Sequence, residues 1–239
     1  MSKEIVIIKH VDIEGPGSID DFFRNTARCL RTIELGRQET FPRALDDTEG
    51  IIVLGGPMNV YEEEKYPFLK EEDAFLKKVL DEEIPVLGIC LGAQLLAKAR
   101  GSRVSKAKTE EVGWSEIRLT AQAQHDPLFR GLPSLFDVFE WHEDTFDIPA
   151  DGALLATNAV CRNQAARFGR SAWGIQFHIE VTMEMLNSWF EHYEVSVSKE
   201  TLFAEYFRKE DMYRRQAMLM YLNFARVMSA QRKRQGTAA

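Results

Sequence analysis

Apolar positions along the chain follow two different spacings. Ile5–Lys9, Gly50–Leu54 and Pro85–Ile89 are short, nearly continuous apolar runs, the pattern of strands buried on both faces. Between them the apolar spacing becomes helical. Ser18-Ile-Asp-Asp21 resembles a capping box opening a helix through about Glu34, with Phe22, Thr26, Leu30 and Ile33 on one face. Further helices are predicted from Pro67 to Glu82 and from Leu91 to Arg100. Strands alternating with helices predict βαβ units and a largely parallel sheet with helices on both faces. The middle of the chain changes texture. Trp114–Thr120, Phe136–Trp141, Ala153–Ala156, Ala165–Phe168 and Ala172–Phe177 are short alternating runs, closer to antiparallel strands. Thr182 then caps a helix through Tyr193, and Ser198 another through Phe207. A final helical pattern carries Tyr213, Ala217, Met220, Phe224 and Val227.

Composition narrows the class. The 239 residues hold 45% hydrophobic side chains, which excludes a mainly disordered chain. No apolar run reaches the roughly 18 residues of a membrane span, and the first residues read as a strand, not a signal peptide. Three cysteines (Cys29, Cys90, Cys161) are too scattered for a disulfide framework and form no zinc-type pair. A reduced, cytoplasmic setting is the expectation. The formal net charge of −7 argues against nucleic acid as a main partner. That charge is uneven: residues 1–198 sum to −12 and 199–239 to +5. We therefore expect one domain over 1–195 and a helical extension over 196–239, ending from Gln231 in a frayed basic tail.

The sharpest chemical signal is Gly88-Ile-Cys90-Leu-Gly92 between a predicted strand and helix, the cysteine form of a nucleophile elbow. Glycines on either side allow a tight turn where a β-carbon would crowd the backbone. The sulfur then sits at a helix N-terminus, whose free N–H groups favour a thiolate. Cys29, inside the predicted first helix, and Cys161 lack such a setting. A cysteine nucleophile needs a base and a group to orient it. His178 closes the run Trp173–Phe177, and Glu180, two residues on, points the same way and can fix its tautomer. His142-x-Asp144 is too sparse to make a metal site the preferred reading. Gly55-Gly56-Pro57 closes the second strand and can offer backbone N–H groups to an oxyanion.

Taken in order and spacing, Gly55-Gly56-Pro57, Gly88–Gln94 and Gln176–Glu180 resemble the class I (triad) glutamine amidotransferases. Glu111-Val-Gly-Trp114, Trp141-His-Glu-Asp144 and Gly55–Tyr61 narrow the resemblance to the stand-alone GMP-synthase-like members, over residues 3–192. It implies a flavodoxin-like, mixed and largely parallel α/β sheet. It also implies a Cys90–His178–Glu180 triad with an oxyanion hole from the N–H groups of Gly56 and Leu91. Gly55, Gln94 and the backbone of His142–Glu143 would contact the substrate, and no metal or cofactor would be needed. The products would be glutamate and ammonia. Ile179 stands where many members have Pro. Glu143 stands where many have Gly, so a side chain there would narrow or recharge the pocket.

No Gly-rich phosphate loop or ATP-binding domain accompanies these motifs. The ammonia would then pass to a separate synthetase subunit. The alternative is a stand-alone γ-glutamyl peptidase or hydrolase, which begins from the same acyl-enzyme. The intact triad argues against a non-catalytic scaffold. The Met- and aromatic-rich stripe from Tyr213 to Val227 is either a packed face or a homodimer surface.

Overall fold

The computed structural model describes residues 3–195 and 197–237, with side chains through Arg232. Its centre is a nine-stranded mixed sheet in the order β2-β1-β3-β4-β9-β8-β7-β5-β6. The parallel half comprises β1 (Glu4–Lys9), β2 (Cys29–Glu34), β3 (Thr48–Val53), β4 (Val86–Ile89) and β9 (Ala172–Ile175). The antiparallel half adds β5 (Val104–Leu119), β6 (Leu135–Phe146), β7 (Gly152–Thr157) and β8 (Ala165–Phe168). Strand β9 joins the halves, parallel to β4 and antiparallel to β8, so the run Ala172–Phe177 is only half of what its texture predicted.

The strands alternate cleanly between two cores. Ile5 and Ile7 of β1 face one side, with Ile19 and Phe23 of α1 (Ser18–Arg24) and Met220, Phe224 and Met228 of α5 (Lys199–Thr237). Val6 and Ile8 face the other, against α2 (Phe68–Asp81) and α3 (Leu91–Ala99). Helix α4 (Met183–His192) begins at Thr182, whose side chain accepts the Met185 N–H at 3.3 Å, as expected of a cap.

Several expectations are corrected. The helix predicted from Ser18 to Glu34 stops at Arg24, and Cys29–Glu34 is an edge strand beside β1, with Cys29 exposed. Asn25 and Thr26 end the helix by sending their side chains to Asp21 O (2.7 Å) and Phe23 O (2.6 Å), a local competition with helix hydrogen bonds. The following Cys-Leu-Arg-Thr-Ile-Glu run has short apolar spacings that fit either period. Ser18 is not the cap either: Gly17 is, at φ 48°, where a β-carbon would lie 2.2 Å from Glu180 O.

The middle strands are longer than predicted. β5 and β6 form a ribbon of 16 and 12 residues, because its outer part is polar and is held by strand pairing, not by a buried face. The two predicted C-terminal helices are one helix of 39 residues: the polar stretch between the apolar patterns contains no Gly or Pro to break it. Its backbone stays helical to Thr237, where a frayed tail was expected, and the basic side chains of Lys233 and Arg234 lie outside the described residues. The stripe considered as a dimer surface faces inward. Tyr213, Ala217, Met220 and Phe224 are all buried within this chain.

Candidate active site

Ile89 ends β4 and Leu91 begins α3, leaving Cys90 alone to make the turn. It does so at φ 52°, ψ −107°, a conformation costly for a residue with a side chain and characteristic of functional turns. The two flanking glycines are required sterically. A β-carbon on Gly88 would lie 2.4 Å from Gly92 O, and one on Gly92 would lie 2.2 Å from Val53 O. Helix α3 is thereby pressed onto β3 and β4, and its first N–H groups, Leu91 and Gly92, precede any intrahelical acceptor.

His178 follows β9 and is tied to β6, its N–H donating to Phe139 O at 2.8 Å. Its Nδ1 lies 2.7 Å from Glu180 Oε1, while Glu180 Oε2 accepts the Ile179 N–H at 2.9 Å. Both side chains are buried. Burial alone would lower the His178 pKa, but the Glu180 carboxylate and the Cys90 sulfur outweigh it and hold the ring well above its usual value. Ile179, in place of Pro, leaves this pair intact. Gln176 Nε2 reaches Cys90 Sγ at 3.6 Å, and the Sγ is 3.6 Å from Trp141 O.

Cys90, Leu91, Gly56, Gln94, His142, Glu143 and His178 line one cavity of about 290 Å³, the scale of a small-molecule site. Of the two remaining expected residues, Glu180 reaches the cavity only through His178, and Gly55 lies behind its wall. A β-carbon there would be 3.1 Å from His178 Cε1 and 2.9 Å from Glu14 Oε2. Gln94 is committed to its neighbours, donating to Asp144 O at 3.3 Å and Gln176 Oε1 at 3.2 Å. Glu143 stands exposed at the mouth and pairs with Lys106 at 2.9 Å, so its charge is partly spoken for.

Both ring nitrogens of His142 are engaged by neighbouring protein groups. Nδ1 donates to Asp144 O at 3.0 Å, and Nε2 lies 3.3 Å from both Glu111 and Glu140. Burial lowers its pKa, but those two carboxylates overcome this and push it up to about 11. Cys161 lies beside the same group: Glu111, His142 and Cys161 bring ligand-type atoms within 4.8 Å of one another. Both Glu111 oxygens already accept side-chain amides, from Asn158 at 2.7 Å and Gln164 at 3.0 Å. An imidazolium between two carboxylates accounts for the cluster's charge.

Three features were not read in the sequence as parts of the site. Glu14, buried in the loop after β1, lines the cavity and accepts the Tyr193 hydroxyl at 3.0 Å; burial raises its pKa. His10 and Glu72 form a buried pair behind Gly55. Tyr213 and Tyr221 of α5 reach the backbone of the His178–Val181 turn. A single buried acid or histidine has no spacing signature, and the tyrosines lie far along the chain from the turn they hold.

The sequence matches the family model "Glutamine amidotransferase class-I" over residues 19–191. It is 29% identical over 188 residues to the glutamine amidotransferase-like protein YfeJ of Salmonella typhimurium, covering 77% of this chain and 79% of that protein. It is 35% identical to one subunit of the glutamine-hydrolyzing GMP synthase of Methanothermobacter thermautotrophicus, over 56% of this chain and 67% of that relative. Against the GMP synthase of Thermosipho melanesiensis the match spans only 25% of the relative's length. The fold superimposes on a crystal structure of a Thermotoga maritima glutamine amidotransferase with a TM-score of 0.86 at 34% identity, covering 95% of this chain and 99% of that one. A glutamine amidotransferase from Methylobacillus flagellatus gives 0.86 at 26% identity, covering 95% and 96%. With motifs, fold and matched length in agreement, this chain belongs to the class I glutamine amidotransferase family.

Proposed function

We propose that the protein hydrolyses the γ-amide of glutamine through a Cys90–His178–Glu180 triad and a γ-glutamyl thioester. The observation that carries this reading is the convergence on one cavity of Cys90, at its strained strand-to-helix turn, and of His178, which is paired at 2.7 Å with the buried Glu180. The thiolate attacks the amide carbon, and the oxyanion is held by the N–H groups of Gly56 and Leu91. Loss of one such donor typically costs about 3–4 kcal/mol. His178, oriented by Glu180, protonates the departing ammonia and then activates the water that cleaves the thioester, giving glutamate. Gln94 and the backbone at His142–Glu143 surround the substrate's amino-acid end, with Gly55 backing the adjoining wall. The chain needs no metal or cofactor for these steps.

Relatives named as one subunit of a glutamine-hydrolyzing GMP synthase support delivery of the ammonia to a separate synthetase subunit. The test is a substrate screen of purified protein against glutamine and γ-glutamyl peptides, with Cys90→Ala as the blank. Glutamate release from glutamine that vanishes in Cys90→Ala is the expected result. Peptide cleavage without glutaminase activity, whether or not a synthetase is present, would overturn it in favour of a γ-glutamyl hydrolase.

A further inference from the structure

We infer that His10 and Glu72 are positioning residues that set and polarise the oxyanion-binding peptide between Gly55 and Gly56. The inference rests on the proposed acyl transfer at Cys90, and adds two residues that no part of that scheme uses.

His10 leaves the end of β1 and is 1% exposed; Glu72, on α2, is fully buried. The ring bridges two elements. Its Nδ1 lies 2.8 Å from Gly55 O, and its Nε2 lies 3.1 Å from both oxygens of Glu72. The acceptor at Nδ1 is a carbonyl, so that nitrogen carries a proton and donates. Nε2 faces two carboxylate oxygens at 3.1 Å, so a second proton stands between Nε2 and Glu72; the same carboxylate raises the ring's pKa against the effect of burial.

The consequence follows from peptide geometry. A peptide unit is planar and trans, so its C=O and N–H point in opposite directions. Gly55 O and Gly56 N belong to one such unit. Fixing the oxygen on His10 from behind turns the Gly56 N–H the other way, towards the cavity that Gly56 lines with Cys90. Glycine on both sides makes this lock necessary, because an unrestrained Gly-Gly peptide can rotate at low cost. A β-carbon at either position would crowd the site, lying 2.9 Å from Glu14 Oε2 at Gly55 and 2.7 Å from Met58 Sδ at Gly56. A hydrogen bond onto the carbonyl also strengthens the N–H as a donor, since chained hydrogen bonds in a dry interior polarise one another. The order Glu72, His10, Gly55 C=O, Gly56 N–H is such a chain.

The test uses the full-length protein with His10→Ala, His10→Asn and Glu72→Gln. An Asn amide can replace the Nδ1 donor to Gly55 O while giving up the contact with Glu72. Glutamine turnover should show kcat reduced ten- to a hundredfold in His10→Ala with KM within threefold, because the oxyanion exists only after attack. His10→Asn should recover most of that loss, and Glu72→Gln, which keeps the side-chain volume, should lose several-fold in kcat. Alkylation of Cys90 by iodoacetamide forms no oxyanion, so its rate should be the same in all folded variants. If His10→Ala keeps kcat within twofold, or Asn is no better than Ala, the peptide lock is wrong. If alkylation falls in parallel with kcat, the ring acts on the thiol or the fold instead. Should His10→Ala fail to fold, Glu72→Gln and His10→Asn decide by the same criteria. A wild-type protein without Cys90-dependent glutamine turnover would instead sink the proposed function itself.

Discussion

At the scale of single residues, charge and burial determine what each group can contribute. Glu180 is buried and spends one oxygen on His178 and the other on the Ile179 N–H, so it both aims the ring and neutralises its imidazolium. Glu180→Gln keeps the shape but loses the charge. It should lower kcat by about 10²–10⁴, the usual share of a general acid–base, with little change in KM; steady-state glutaminase kinetics measure both. His142 has a structural role. Replacing it with Gln strands Glu140, and partnerless buried charges cost about 3–5 kcal/mol, measurable as a lower urea midpoint. Its raised pKa also has a signed consequence. The stabilisation from His142 is complete below the unfolded value of 6.5, declines as pH rises above it, and is gone beyond about 11. Unfolding titrations at pH 6, 8 and 10 should show wild type losing its advantage over His142→Gln as pH rises.

At the scale of elements, α5 holds the turn from His178 to Val181. Tyr213 donates its hydroxyl to His178 O at 3.3 Å and accepts the Val181 N–H at 3.1 Å. Tyr221 donates to Ile179 O at 2.8 Å and meets Ser18 Oγ at 2.9 Å, while the Ser18 N–H takes Glu180 O at 3.0 Å. Burial holds both phenols well above their usual pKa, so they stay protonated donors. Three backbone groups of residues 178–181 are thus satisfied by a helix that lies beyond the matched family segment. The double variant Tyr213→Phe/Tyr221→Phe should lose about tenfold in kcat. Asn223→Ala, which frees the same helix from Leu128 O and Arg130 O away from that turn, should lower the melting temperature and leave kcat near wild type. Equal losses of activity in the two would assign the tyrosines to stability alone.

At the scale of the whole molecule, the same helix closes one of the two cores. Met220, Tyr221, Phe224 and Met228 are buried against the face of the sheet that also packs α1. Each large side chain contributes roughly 1.5–3 kcal/mol on burial, and a domain's net stability is only about 5–15 kcal/mol. A chain truncated after Val195 should therefore be insoluble or molten, with loss of near-UV circular dichroism, and not an active, independently folded amidotransferase. The outward face of α5 carries Phe207, Met212, Met218 and Leu222 in exposed positions. No helix among the described residues is long and apolar enough to cross a membrane.

The parallel strands β1, β3 and β4, the elbow around Cys90 and the family were legible in the sequence. These depend on local features: β-branched runs, glycines at fixed offsets from a cysteine, and a histidine two residues from a carboxylate. Periodicity misread Leu30–Ile33 as helix because short apolar spacings fit either period, and it missed the outer part of the β5–β6 ribbon because polar strands held by pairing carry no burial signal. The remaining buried polar groups take their roles from the tertiary fold alone. His10 and Glu72 are 62 positions apart in sequence, and Tyr213 and Tyr221 are 35 and 42 positions from the carbonyls they bind. Such contacts follow from chain topology, because the requirement that every buried polar group find a partner is met by whichever element the fold brings alongside.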